Sequence, residues 1–151
     1  MDLFFQNRQT FAGCKKEKMK HKTTKYYKKR ADRLFSLWIR QRDAVNGICR
    51  CVTCGTPHAW RSIHSGHFIS RGKENTRYDE KNSSAQCVSC NSFGEGMQYE
   101  YGKAIDRKYG KGTADSLVVK SKFECKRSWF DYELLGNIFL EKLKTNGFEI
   151  I

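Results

Sequence analysis

Two Cys-x2-Cys pairs carry the clearest chemistry in this sequence. They consist of Cys51, Cys54, Cys87 and Cys90. Two intervening residues let one tight turn direct both sulfur atoms of a pair at a single ion, and two pairs complete a tetrahedral zinc site. Four thiolates leave no open coordination position, so we expect a structural zinc ion that stabilises the fold and takes no part in catalysis. Two alternatives use Cys49 in place of Cys51, or His64 in place of one sulfur atom.

A histidine between the two pairs is the candidate for acid–base chemistry. His67 lies in the stretch Ile63-His64-Ser65-Gly66-His67-Phe68-Ile69. The gap between the pairs is long enough for a hairpin, and we expect His67 in the second strand of that hairpin. A single histidine is more often structural than catalytic, although a neutral imidazole can act as a general base. The neighbours of His67 therefore decide its role.

The charge balance indicates a polyanionic partner. The chain has 151 residues, 29 Lys and Arg against 16 Asp and Glu, a formal charge of +13 and an isoelectric point near 9.5. Nucleic acid is the first candidate for such a chain. Residues 1–22 are predicted to be a basic, flexible arm, either a solvated tail or a segment that lies on phosphates. The candidate DNA contacts after the arm are Lys25, Lys28, Lys29 and Arg30.

Helical periodicity flanks the cysteine region on both sides. Residues 23–47 are predicted to form a helix, with Thr24 as its cap and Asn46-Gly47 as its stop. Its apolar stripe consists of Tyr27, Ala31, Leu34, Trp38 and Ile39. Residues 72–86 are polar and are predicted to be a loop.

Residues 97–151 are predicted to form a helical extension, with helices over about 97–109, 113–120 and 127–144. The last helix has an apolar stripe of Trp129, Phe130, Leu134, Ile138, Phe139 and Leu143. The overall prediction is an α+β fold, with a zinc-bound core over residues 48–96 and flanking α-helices.

Neither a membrane nor an oxidising compartment is expected. No apolar run approaches the ~20 residues that a spanning helix needs, and the N-terminus lacks the apolar region of a signal peptide. Seven cysteines, four of them in metal-type pairs, are typical of a reducing compartment. We therefore expect the protein in the cytoplasm of the cell that makes it.

The cysteine region resembles the HNH, or treble-clef ββα-metal, endonucleases. In those enzymes a hairpin histidine, a mid-motif asparagine and a final His or Asn beside the last zinc cysteine surround a catalytic divalent ion, and His67, Asn82 and Asn91 occupy the same places. Residues 30–125 resemble more specifically the NinG (Rap) recombination proteins of lambdoid phages. The matching stretches are Gly66-His67-Phe68-Ile69-Ser70-Arg71, Asp79-Glu80-Lys81-Asn82, Cys87-Val88-Ser89-Cys90-Asn91 and Gln98-Tyr99-Glu100-Tyr101-Gly102.

This resemblance implies a structure-specific DNA endonuclease that cuts branched recombination intermediates, including Holliday-type junctions and D-loops. His67 would take a proton from the attacking water. A Mg²⁺ or Mn²⁺ ion, held partly by the Asn91 amide oxygen, would stabilise the transition state and the leaving oxygen. Asn82 would orient the histidine or its loop, and Arg71 and Arg77 would bind the phosphate.

One position departs from the HNH pattern. Many HNH enzymes have an acidic or histidine metal ligand immediately before the catalytic histidine, and here that residue is Gly66. His64 is the nearest substitute. Residues three apart on a regular strand point to opposite faces, so we expect His64 to reach the ion only if Gly66 marks a bulge or a kink. A shell that contains His64 would favour Mn²⁺ or another transition ion over Mg²⁺.

Two other functions compete with the endonuclease. The first is a non-catalytic zinc module that binds DNA or RNA, against which Asn91 directly after Cys90 argues. The second is a zinc-dependent protein-interaction domain, against which the basic arm argues. Resolution of a junction needs two symmetric cuts, so a homodimer formed through the helical extensions is a further expectation.

Overall fold

The computed structural model describes residues 22–151, so the predicted arm over residues 1–22 lies almost entirely outside the described part. The fold is of mixed α+β type. Five α-helices are present in the described residues: α1 (Thr24–Arg42), α2 (Glu74–Arg77), α3 (Gln98–Tyr109), α4 (Thr113–Ser121) and α5 (Trp129–Thr145). The strands of the same region are β1 (Ala44–Val45), β2 (Ile48–Arg50), β3 (Pro57–Ala59), β4 (His64–His67) and β5 (Ser83–Gln86).

Helix α1 begins at Thr24, within the predicted bounds, but its cap and its last residue differ from those predicted. Its N-cap is Thr23, whose side-chain oxygen accepts a hydrogen bond from the Tyr26 N–H at 3.3 Å. It ends at Arg42, four residues before the predicted stop. Asn46 and Gly47 both have positive φ, 51° and 78°, and form the two-residue turn between β1 and β2. Asn-Gly fits both roles, since it is also the preferred sequence of a hairpin turn.

The strands form two small sheets. One contains β1, β2 and β3 in sequence order, and the other pairs β4 with β5 in antiparallel register from His64↔Gln86 to His67↔Ser83. His67 is therefore in the first strand of its hairpin, not in the second as predicted. The second strand, β5, lies in the segment predicted to be a polar loop.

The burial of β5 explains that error. All four of its residues are buried, although three of them are polar. The Ala85 N–H donates to the Asp43 carboxylate at 2.9 Å, and the Gln86 amide donates to the Gly96 carbonyl at 2.9 Å. Polar groups are tolerated in the interior when they find such partners.

The main core lies between α1 and α5. Ring contacts join Tyr27 to Trp129, Phe35 to Phe139 and Trp38 to Phe148, with centroids 5.7, 4.9 and 5.8 Å apart. Because both members of these pairs advance together along the chain, α5 runs parallel to α1. The α1 stripe is largely buried, as predicted.

Only part of the predicted α5 stripe faces this core. Phe139 and Leu143 are buried, together with Tyr132 and Gly136, which the prediction omitted. Phe130, Leu134 and Ile138 are exposed. No helix in residues 22–151 combines the length and apolar character needed to cross a bilayer.

Candidate functional site

The four predicted cysteines form one cluster. The sulfur atoms of Cys51, Cys54, Cys87 and Cys90 all lie within 4.8 Å of one another. The Cys54 and Cys87 sulfur atoms are 3.8 Å apart. A tetrahedral site with metal–sulfur bonds of about 2.3 Å has sulfur–sulfur edges of about 3.8 Å. The cluster is therefore positioned to hold one metal ion.

Backbone amides favour the thiolate form of Cys51, whereas burial raises the pKa of Cys87. Burial alone would raise the pKa of Cys51, but backbone N–H groups of Cys54 and Cys87 lower it to about 6. One of these bonds joins the Cys87 N–H to the Cys51 sulfur at 3.3 Å. Cys49 is not an alternative ligand, since its thiol donates to the Arg40 carbonyl at 3.0 Å and burial raises its pKa to about 11.

His67 is held as a neutral, oriented imidazole. Its Nε2 atom lies 2.9 Å from the Arg77 carbonyl oxygen. A carbonyl oxygen can only accept, so Nε2 carries the proton and Nδ1 is the basic nitrogen of the ring. Burial, with the nearby Arg71 and Arg77 charges, lowers the His67 pKa to about 4. The Phe35 ring of α1 packs on the imidazole, with centroids 5.8 Å apart.

Asn82 connects the two ends of the loop that follows β4. Its amide nitrogen donates to the carbonyls of Ile69 and Thr76, both at 3.0 Å, and its oxygen accepts from the Ile69 N–H at 2.7 Å. The side chain is fully buried. Asn82 therefore acts on the loop that carries Arg77, the residue whose carbonyl orients His67, and does not reach the reacting groups itself.

His64 and Asn91 form a second pair beside His67. The Asn91 amide nitrogen lies 3.1 Å from the His64 Nδ1. The two amide atoms can exchange places by rotation, which brings the oxygen to the same spacing. Two ligands at about 2.1 Å from one ion, at right angles to each other, are about 3.0 Å apart. His64 and Asn91 can thus supply two adjacent ligands.

The step from His64 to His67 does not involve a bulge. The β4–β5 register is regular through Gly66, yet both histidines line the same cavity. Gly66 has a packing role instead. A Cβ at this position would lie 2.7 Å from the Gln86 Cβ, and Gln86 is fully buried. The position that holds a metal ligand in many HNH enzymes therefore has no room for a side chain.

One cavity of about 570 Å³ brings these groups together. Its lining includes His64, His67 and Asn91 with three arginines, Arg40, Arg61 and Arg71, and it contains no carboxylate. Such a lining favours an anion. A larger concavity of about 720 Å³ lies beside Val45 and Ile48, but its Arg42 and Asp43 pair with each other at 2.9 Å. The smaller cavity is the better candidate site.

The other predicted DNA contacts lie elsewhere. Arg77 binds the Asp32 carboxylate with two bonds of 2.9 and 2.7 Å and does not line the cavity. Lys28 pairs with Glu74, and Arg30 donates to Asn137 at 2.9 Å. Lys25 and Lys29 are exposed on α1.

Sequence reasoning missed Arg40 and Arg61. Arg40 belongs to the predicted N-terminal helix and Arg61 follows β3, so neither is near a recognisable motif. Only the fold brings them beside His64 and Asn91.

Comparison with known proteins identifies the family of this chain. A family model described as "Bacteriophage Lambda NinG protein" matches residues 6–145. The chain belongs to this family. Its curated NinG relatives include "Protein ninG" of Escherichia phage 933W, with 30% identity over 54% of this chain and 45% of that protein. "Protein ninG" of Salmonella phage P22 shares 28% identity over 65% of this chain and 55% of that protein.

The chain thus spans about half the length of the NinG proteins that it matches. No solved structure matches it.

Proposed function

We propose that this NinG-family protein is a metal-dependent DNA endonuclease that cuts branched recombination intermediates. The supporting observation is the cavity in which a neutral, oriented His67 lies beside the His64–Asn91 pair and among three arginines, with no carboxylate in the lining. Phosphodiester hydrolysis needs a base, a phosphate-binding surface and compensation for developing negative charge. This cavity offers all three.

His67 is the general base. Its Nε2 is engaged by the Arg77 carbonyl, so its Nδ1 takes the proton of the attacking water. The low pKa keeps the imidazole neutral at physiological pH, so nearly all molecules have the base in its competent form. The carbonyl of Arg77 also stabilises the imidazolium that results. Arg71 binds the scissile phosphate from the rim of the cavity.

Two kinds of metal ion belong to this proposal. The four-cysteine cluster holds a structural zinc ion, because a closed tetrahedral thiolate site favours zinc. His64 and Asn91 would hold a divalent ion such as Mn²⁺ or Mg²⁺, which would supply charge stabilisation at the phosphate and the leaving oxygen. The imidazole ligand favours Mn²⁺ over Mg²⁺. The cavity lining within residues 22–151 contains no Asp, Glu or Cys that would add a further charged ligand.

The arrangement of elements is compatible with an HNH, treble-clef core. The first cysteine turn lies in the β2–β3 hairpin. Strand β4 carries His64 and His67 and pairs with β5, and the helical turn Ser89–Phe93 presents Asn91. The preference for branched DNA, action as a homodimer and location in the host-cell cytoplasm follow from the family resemblance and remain part of the proposal.

A nicking assay with His67→Ala tests the proposal. The substrate is a synthetic four-way junction with Mn²⁺ or Mg²⁺ in excess. Removal of a general base typically costs about 10²- to 10⁴-fold in rate, and we expect that loss with retained zinc, a cooperative melt and a junction affinity near wild type. His58→Ala is the matched control, because His58 lies on β3 outside the cavity.

Two outcomes would contradict the endonuclease. Wild-type protein that binds the junction but does not cut it with any divalent ion would make the protein a binding module. A folded His67→Ala variant that cuts as fast as wild type would refute the role of His67.

A further inference from the structure

Two arginines of the cavity flank β4 in the sequence, one on each side of the strand. Arg61 precedes the strand by three residues, and Arg71 follows it by four. A strand advances about 3.3 Å per residue, so His64 and His67 are about 10 Å apart along the backbone. One strand of duplex DNA advances about 3.4 Å per nucleotide. The cavity is therefore long enough for more than one phosphate of the same strand.

Arg40 has an unusual environment for a partly buried guanidinium. It donates only to backbone carbonyls, those of Ser36, Trp60 and Arg61, at 3.2–3.4 Å. Within residues 22–151 it has no carboxylate at ion-pair distance. Burial lowers its pKa, yet a guanidinium remains charged in proteins.

Three other partly buried arginines have carboxylate partners, whereas Arg30 donates to the Asn137 amide oxygen. Arg42, Arg77 and Arg127 each pair with a carboxylate, from Asp43, Asp32 and Glu74 respectively. Burial of a charge is unfavourable unless an opposite charge compensates it. An anion that enters the cavity beside Arg40 would supply this compensation.

The Trp60 ring contacts the guanidinium groups of both Arg40 and Arg61. The Arg61 guanidinium lies 4.7 Å from the Trp60 ring centroid, and that of Arg40 lies 5.6 Å from it. Trp60 is buried, so its ring is a fixed support for both cations. The counter-ion of Arg61 is Glu149, and both side chains of that ion pair are about half exposed, at 57% and 49%. Such an exposed pair contributes little to stability and is readily exchanged for another anion.

We propose that Arg40 and Arg61 form a second phosphate-binding subsite, which holds a neighbouring phosphate of the strand whose scissile phosphate lies at His67. The subsite rests on the proposed endonuclease function and specifies how its substrate strand lies along β4. In the free protein Glu149 forms an ion pair with Arg61, and the phosphate displaces Glu149 when it binds.

Binding of a fluorescein-labelled four-way junction over a series of NaCl concentrations, without added divalent ions, tests the subsite. One lost phosphate contact lowers the log–log salt slope by about 0.9. A charged hydrogen-bonded contact corresponds to about 10-fold or more in affinity. We therefore expect Arg61→Gln to show both changes. Glu149→Gln should act in the opposite direction and tighten binding, because phosphate no longer competes with a carboxylate.

Arg107→Gln is the control, since Arg107 is exposed on α3 outside the cavity. Arg40→Gln should resemble Arg61→Gln, and its melting curve and metal content show whether it is folded. Equal salt slopes and affinities for Arg61→Gln and Arg107→Gln would overturn the subsite, as would weaker binding by Glu149→Gln.

The same proteins, assayed for nicking of the junction with Mn²⁺ added, separate this inference from the endonuclease proposal. Wild-type protein that cuts the junction while Arg61→Gln binds as wild type would refute the subsite alone. Loss of salt slope in Arg61→Gln without any cleavage by wild type would refute the nuclease alone. A protein that does not bind the junction would refute both.

Discussion

The cysteine cluster and the His67 cavity adjoin each other at Cys90 and Asn91, but their ligand sets are complete to different degrees. The cluster draws four sulfur atoms from the chain within 4.8 Å of one another. The cavity offers two adjacent ligand atoms, from His64 and Asn91, and a histidine whose second nitrogen is engaged by a carbonyl. A complete site stabilises a fold, whereas an incomplete one leaves positions for water and substrate.

The two sites also differ in how far apart their residues lie in the sequence. Each half of the cluster is a turn of four residues. The cavity needs α1, the loop after β4 and the helical turn at Asn91, and Asn82 connects Ile69 to Thr76 to keep that loop in place. Damage to the cluster should therefore affect folding, and damage to the cavity should affect chemistry first.

The largest expected effect is that of Cys87→Ser. Structural zinc contributes about 10–16 kcal/mol in small zinc domains, which is comparable to the entire ~5–15 kcal/mol stability of a typical domain. We expect an insoluble or unfolded product, scored by circular dichroism and metal analysis. Cys125→Ser is the control, because Cys125 is outside the cluster. A soluble, cooperatively melting Cys87→Ser protein would exclude a structural role for the cluster.

The next effect concerns Asn82→Ala, which removes hydrogen bonds to Ile69 and Thr76 from a fully buried site. Each bond contributes about 1 kcal/mol, and its loss leaves buried groups without partners. Chemical denaturation should show a loss of about 3 kcal/mol. Exposed Asn137→Ala should change stability by less than about 0.5 kcal/mol. A loss that small for Asn82→Ala would mean that the loop is held by other contacts.

Gly66→Ala tests why the cavity lacks the expected ligand before His67. The added Cβ would lie 2.7 Å from the Gln86 Cβ, so the buried Gln86 must move. Overpacking of this kind typically costs about 1–3 kcal/mol. Gly72→Ala is the control, since the nearest atom would be 3.7 Å away. Equal melting temperatures for the two variants would show that space does not exclude a side chain at position 66.

The predictability of each region follows from how local its determinants are. The cysteine turns and the helices α3 and α4 depend on residues close together in sequence, and the cysteine cluster and these helices lie near their predicted positions. The β5 strand is predicted to be a loop because its residues are mostly polar, whereas the fold buries all four of them and pairs the Gln86 amide nitrogen with the Gly96 carbonyl. Asn46-Gly47 fits a helix stop and a hairpin turn equally, and the sheet decides between them.

The cavity shows the same limit. The sequence shows that Asn91 directly follows Cys90, and the resemblance to HNH enzymes relates His67 to Asn91. The His64–Asn91 contact spans 27 residues, and the placement of Arg40 depends on how α1 packs. The α5 stripe was only half right, because helical periodicity marks apolar residues without showing which side of the helix α1 covers.

The pH dependence of stability isolates the burial of His67. Its folded pKa of about 4 lies below the ordinary 6.5, so the unfolded chain binds more protons between these values. The stabilising contribution is complete above pH 6.5 and is lost as pH falls toward 4, by at most about 1.4 kcal/mol per pH unit. The stability difference between wild type and His67→Gln should change over this window. A curve for His67→Gln that runs parallel to that of wild type over this window would disprove the depressed pKa.

We expect His64→Ala to have the smallest effect on stability. The variant also tests whether His64 is a ligand of the divalent ion. His64 is exposed and contacts the Asn91 amide, so its removal should leave the free energy of unfolding within about 0.5 kcal/mol of wild type. If His64 is a ligand of the divalent ion, nicking by the variant should need a higher Mn²⁺ concentration and recover when the ion is in excess. Asn91→Ala should show the same metal-dependent rescue, whereas His67→Ala should not, because excess metal cannot replace a base. Wild-type activity of His64→Ala at limiting Mn²⁺ would remove His64 from the shell and leave Asn91 as the one side chain of this pair able to hold the ion.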